Sequence, residues 1–276
     1  MGEEMRKIGL VAAMAALLLI TGCFQVKQEV TLKKDGSGKI TEEVLFSDAM
    51  AAQMQKMATA FGGQSNDASN TMYKPEKLKQ EALSYGDDVR YITSSAVSHD
   101  GFTGYSVTYG FKDINTLKLS NDPSGKTMKM GVSDENEGYY QFSFKKGRIS
   151  TLTIREVDST EEDDDGEWEE AEEYEEDDEE DMGGMNEQMM QMFKDMRIFV
   201  SIVFDGKIVK TNAMYQDGNR VTLMDIDYNK IIGDEDAMKT LGKAQNLDSL
   251  DEAKKVMKDI EGIKMELQDE VTVSFK

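Results

Sequence analysis

Seventeen of the 21 residues from Glu161 to Asp181 are Asp or Glu. Like charges at that density repel and cannot pack against one another, so no core can form there. A folded body must be assembled from the stretches on either side. Residues 158–181 therefore read as a disordered acidic surface insertion. It separates residues 23–157, the first half of a domain, from residues 182–276, which supply a Met-rich helix and the second half. Trp168 and Tyr174 lie inside the run with no core to join, and could order it when a partner binds.

On both sides of the insertion apolar residues alternate with polar ones, the period of a half-buried strand. Val26, Val30 and Leu32 share one face. Asp35-Gly36-Ser37-Gly38 supplies a turn, and Ile40, Val44 and Phe46 share one face of the returning strand. A second hairpin spans Val89 to Phe111 and turns at Asp100-Gly101. A third runs from Tyr139 to Ile154. After the insertion, strands are expected over Arg197–Phe204, Lys207–Tyr215 and Arg220–Asp227. A closing strand carries Ile263, Met265, Leu267, Val271, Val273 and Phe275 on one side. Helices fall between hairpins: one capped by Ser47, one opening at Pro75 and stopped by Gly86, one from about Asp234, and one from Ser249 with Glu252 as a capping box. Tight turns imply antiparallel pairing. The pattern is α+β: an antiparallel, hairpin-built curved sheet with helices packed on one face.

The inventory of reactive side chains is short. His99 is the only histidine and Cys23 the only cysteine, which excludes a Cys/His metal site, a Ser-His-Asp triad and a Cys-His dyad. No spacing of carboxylates points to a paired acid/base site, so no enzyme is expected, and no cofactor or metal. His99 beside Asp100-Gly101 reads as a surface turn residue. The segment from Lys34 to Glu43 looks briefly like a calcium loop. With Gly38 at the sixth position, however, Lys33 and Val44 fall where the first and last carboxylates must stand. Nucleic acid is a poor partner for a chain of net charge −22, and anionic lipid headgroups should be repelled as well, except through divalent cations.

The chain opens with Arg6 and Lys7, an apolar stretch from Ile8 to Ile20, and Thr21-Gly22-Cys23. That stretch has the length of a signal-peptide core and is too short to span a bilayer as a helix. Glu3 and Glu4 are unusual ahead of it, and a start at Met5 would remove them. Residues 1–22 resemble a lipoprotein signal peptide: cleavage between Gly22 and Cys23 would leave Cys23 as the acylated first residue. Two or three acyl chains, at about 0.8 kcal/mol per buried CH₂, hold a protein firmly on a membrane. The expected location is the extracytoplasmic side of the cell membrane or outer membrane.

Met182, Met185, Met189, Met192 and Met196 step by three and four, which draws one apolar stripe on a helix. Methionine thioethers can bind copper(I), but helical periodicity is what packing alone produces. Met is also deformable and suits an adaptable apolar wall, so Met185, Met189, Met192 and Met196 are candidate linings of a groove for lipid or peptide.

The segments CFQVKQEVTLKKDGSGKITEEVLFS and FVSIVFDGKIVKTNAMYQDGNRVTLMDIDY resemble mycobacterial LppM-type lipoproteins. In these, a strand, a DGSG turn and a second strand follow the lipidated cysteine. The chain departs from that pattern at Asp205, where the family tends to carry Pro, and at Met224, where Trp is common. The resemblance implies an α+β domain with a curved sheet and a role in binding lipid or envelope components. It carries no catalytic residues. The function expected is that of a non-enzymatic, lipid-anchored envelope protein binding an apolar ligand or an envelope partner. The alternative is a structural or assembly lipoprotein whose acidic run is the interaction surface or a weak divalent-cation site.

Overall fold

The computed structural model describes residues 24–60, 73–124, 138–157, 193–245 and 250–276. Cys23, the acidic insertion and most of the Met-rich helix lie outside them. So do Ser249 and the short strand anticipated near residues 127–132.

β1 (Phe24–Leu32) and β2 (Gly38–Ser47) form the expected first hairpin, with Phe24 opposite Phe46 and Leu32 opposite Gly38. Its turn is set by residues that can adopt it. Gly36 takes φ +92°, and the Asp35 carboxylate accepts from the Ser37 amide at 3.0 Å and the Ser37 hydroxyl at 2.7 Å. These bonds hold the Asp35 carboxyl below its ordinary range. β3 (Arg90–His99) and β4 (Phe102–Phe111) form the second hairpin, and β4 pairs with β2. On the other edge of β1 lies β8 (Arg197–Phe204), followed by β11 (Arg220–Asp227), which also pairs β10 (Gln216–Asp217) and β12 (Ile263–Met265). The first sheet has the order β10-β11-β8-β1-β2-β4-β3.

A second sheet contains β5 (Lys118–Ser120), β6 (Tyr139–Lys145), β7 (Ser150–Val157), β13 (Glu270–Phe275) and β9 (Ile208–Thr211), in the order β5-β6-β7-β13-β9. The α+β class and the mainly antiparallel pairing thus hold, but the strands divide between two sheets, and β1 pairs with β8 in parallel. Asp205-Gly206 does not fold β8 back on itself. It hands the chain to the second sheet, where Lys207 and Lys276 exchange backbone hydrogen bonds of 2.8 and 3.0 Å. The single closing strand also divides. β12 stays with β11, β13 joins β7 and β9, and Glu266 holds the crossing. Its carboxylate accepts from the amides of Met214 at 2.8 Å and Gln268 at 3.2 Å, while its own amide donates to Leu223 at 2.9 Å. Period-two alternation cannot report such a switch, because apolar residues continue to face one shared core in both sheets.

Helices pack onto that core. α1 (Asp48–Ala60) begins where the Ser47 hydroxyl accepts from the Met50 amide at 3.2 Å, and Met50 and Met54 lie against the core. α2 (Pro75–Glu81) runs into a single 3₁₀ turn, Ala82–Tyr85, and Leu78, Ala82 and Tyr85 face inward at helical spacing. Gly86, at φ +139°, ends it. α3 (Tyr228–Ile232), α4 (Glu235–Gln245) and α5 (Leu250–Met257) follow β11, with Asp234 capping α4 through its carboxylate.

The sheets meet at aromatic rings. Phe204 of the first and Phe275 of the second are fully buried, with centroids 4.8 Å apart at 60°, and Phe144 lies 6.3 Å from Phe275. Phe275→Ala should destabilise the fold by about 3–5 kcal/mol, read as a lowered urea midpoint. An unchanged midpoint would show that the sheets do not share this core. Burial raises the Glu266 carboxyl above its ordinary 4.5, against the pull of its amide donors. A raised folded-state value means that the native state holds the proton more tightly. The stability this group contributes is present below 4.5 and is lost as pH rises through the higher folded value. Glu266→Gln should remove that component, so urea unfolding between pH 4 and 7 should lose less stability in the variant than in the parent.

Candidate functional site

Strand alternation sends Phe24, Val26, Gln28, Val30 and Leu32 of β1 into the core and Gln25, Lys27, Glu29 and Thr31 to the opposite, outer face of the first sheet. Register sets their neighbours there: Arg197 beside Gln25, Phe199 beside Lys27, and Asp225 beyond Phe199 on β11. These side chains build a groove of about 370 Å³ lined by Gln25, Val26, Leu45 and Phe199, with Lys27, Arg197, Arg220 and the Glu43 carboxylate around it. The Phe199 ring lies between two guanidinium groups, Arg220 at 5.6 Å and Arg197 at 6.0 Å from its centroid. Carboxylates steer both arginines: Asp225 receives Arg197 at 3.1 and 3.3 Å, and Glu29 receives Arg220 at 2.8 Å. Fixed guanidinium groups beside an aromatic surface suit an anionic group attached to something apolar.

The charge of this face differs from that of the chain. Besides Lys27, Arg197 and Arg220, the outward rows carry Lys39, Arg90 and Lys264. Against them stand Glu29, Glu43, Asp217, Asp225 and Asp227. Six cations face five carboxylates, a surplus of one. The whole chain carries −22, and removing the 17 carboxylates of the acidic run still leaves −5. Most side chains of the outer rows are partly or fully exposed.

A second polar cluster is enclosed. Glu42, 8% exposed, lies on the inward face of β2. The Tyr85 hydroxyl donates to its Oε2, and Gln28 Nε2 reaches the same oxygen at 3.2 Å and the Tyr85 oxygen at 2.9 Å. Tyr109 packs 5.2 Å from Tyr85, and Tyr91 6.5 Å from Tyr109. Burial first, then the Glu42 charge, pushes the hydroxyls of Tyr85, Tyr105 and Tyr109 far above their ordinary 10, so they remain protonated. The arrangement fastens the 3₁₀ turn to the sheet. Sequence reasoning passed over it, yet a signal was there: Gln28 and Glu42 are polar residues in otherwise apolar inward rows.

Of the candidate site residues, Gly22, Cys23, Met185, Met189 and Met192 lie outside the described residues. Met196 is 4% exposed and belongs to the main core. Its amide donates to Phe193 and its carbonyl accepts from Tyr228, both at 3.1 Å. His99 stands exposed at the β3–β4 turn beside Asp100. The groove draws instead on Phe199, Arg197 and Arg220, whose outward position depends on β8 pairing with β1.

No protein-family model matches the chain, and no curated protein matches it. Among solved structures, the folded domain of LppM from Mycobacterium tuberculosis, determined by NMR, aligns over 75% of this chain and 84% of that one, at 11% identity and a TM-score of 0.32. A likeness at that level does not establish a shared fold.

Tyr85→Phe removes the donor to Glu42 and leaves an enclosed carboxylate short of a partner. It should cost about 1–3 kcal/mol in chemical unfolding. A cost near zero would show that the cluster does not secure the turn.

Proposed function

We propose that this chain is a non-enzymatic lipoprotein of the cell envelope, anchored through acyl chains on Cys23 on the extracytoplasmic side of a membrane, that binds an apolar or amphiphilic ligand close to that membrane. One observation carries the reading: folded structure starts at once after the lipobox-like segment. Phe24 is 1% exposed and already paired with Phe46. A signal peptide cleaved before Cys23 would leave a mature protein with no linker between anchor and domain. The groove beside the first residues of β1 supports the ligand part, since it combines apolar walls with fixed cations.

A second reading makes the acidic run the interaction surface of an assembly lipoprotein, or a weak site for divalent cations. It is favoured by Trp168 and Tyr174, the aromatic residues set among those carboxylates.

The test is metabolic labelling with palmitate in a bacterial host, followed by native mass spectrometry of the purified chain. Label should enter the native chain and be absent from Cys23→Ser, and a lipid adduct should accompany the native protein. Label retained by Cys23→Ser would refute acylation at this residue. A labelled chain without a lipid adduct that captures an envelope partner, and loses it when residues 158–181 are deleted, would favour the second reading.

A further inference from the structure

The groove opens beside the start of β1, on a face where cations outnumber carboxylates by one. We infer that the outer face of the first sheet is a membrane-docking surface, with the groove between Lys27, Arg197 and Arg220 receiving the phosphate of an anionic lipid headgroup. The inference rests on the anchor proposed at Cys23.

Charge complementarity is the first argument. The outer face carries six cations to five carboxylates, in a chain whose net charge is −22. A chain repelled by anionic lipids as a whole can still present one surface to them, because exposed charges act over about 8–10 Å at physiological salt. Cations within that distance of an anionic leaflet are attracted to it, and the more acidic parts of the chain favour an orientation away from it.

Reach is the second. Consecutive Cα atoms are about 3.8 Å apart, so an acyl-bearing residue 23 holds Phe24 at the headgroups. Gln25 and Lys27 line the groove, and Arg197 is the cross-strand partner of Gln25. The cations at this end of the sheet are therefore those the anchor would bring closest to lipid phosphate. The ion pairs to Asp225 and Glu29 orient the two guanidinium groups, and the partly exposed Phe199 ring offers contact to the glycerol and upper acyl region. A headgroup fits better than a free anion, because a free anion would not use the aromatic surface between the arginines.

The experiment uses the full acylated chain, inserted through its anchor into preformed vesicles of phosphatidylcholine, with or without phosphatidylglycerol. A single new thiol is placed at Thr41→Cys on the outer face or at Ser143→Cys on the exposed face of the second sheet, and its modification by a membrane-impermeant maleimide is timed. Thr93→Cys, on the exposed edge strand of the same outer face, serves if Thr41→Cys does not fold. Modification of the outer-face thiol should be slower by about fivefold or more on the anionic vesicles. Ser143→Cys should react equally on both, and adding Lys27→Gln and Lys39→Gln should abolish the difference at Thr41→Cys. Equal rates at the outer-face thiol on both vesicle types overturn the proposal. So does a slowing that survives loss of the two lysines. The intact mass of the N-terminal fragment reads the anchor separately. If it shows no acyl group, the same chain is mixed with both vesicle types, and the face stands or falls on selective sedimentation with the anionic ones.

Discussion

The structure depends on β1 being hydrogen-bonded along both edges. On one side it pairs with β2, its nearest neighbour in sequence. On the other it pairs in parallel with β8, from beyond the acidic run, with Gln25 opposite Arg197 and Leu32 opposite Phe204. A parallel partner must arrive by a crossover, and here the crossover comprises the hairpins, helices and insertion between Leu32 and Arg197. The two halves of the chain are thus joined through β1 in the first sheet, as β7 and β13 join them in the second. The inward residues of β1, Phe24, Val26, Gln28, Val30 and Leu32, are all buried, and its outward residues form one wall of the groove. Little in β1 can change without affecting the core, the joining of the halves, or the outer face.

Local pattern revealed what is local. The Asp35 turn, the Ser47 cap, the helix from Pro75 to its stop at Gly86 and the β3–β4 hairpin all follow from residues whose conformational preferences act within a few positions. Long-range pairing was not legible. Asp205-Gly206 has the composition of a hairpin turn, and only the competing edges of β1 and β13 decide that β8 and β9 part there. The division of the closing strand at Glu266 was hidden for the same reason. Ile263 and Phe275 face one core from different sheets, so the apolar row resumes in phase at Val271 and only the exposed Asp269 interrupts it. Bulges hid further detail. The register shift between Thr222 and Met224 puts Leu223 and Met224 both inward, and the one between Tyr91 and Thr93 leaves Ile92 about half exposed.

The site was legible only in fragments. Arg197, Phe199 and Arg220 are ordinary strand residues until β8 is placed beside β1. The acidic run, the most conspicuous feature of the chain, concealed the cationic character of one face by dominating the net charge. The inward polar pair Gln28 and Glu42 could have been found by asking why a core row contains a carboxylate. The answer lies in Tyr85, 43 positions away from Glu42, and sequence spacing alone does not supply it.

An anchor continuous with the folded body would set the outer face of the first sheet against the lipid surface. Neutron reflectometry of the acylated chain on a supported anionic bilayer measures this directly. Protein density should begin at the headgroups, with no intervening layer of solvent. A hydrated gap wider than the headgroup region, set between the bilayer and the folded body, would contradict it.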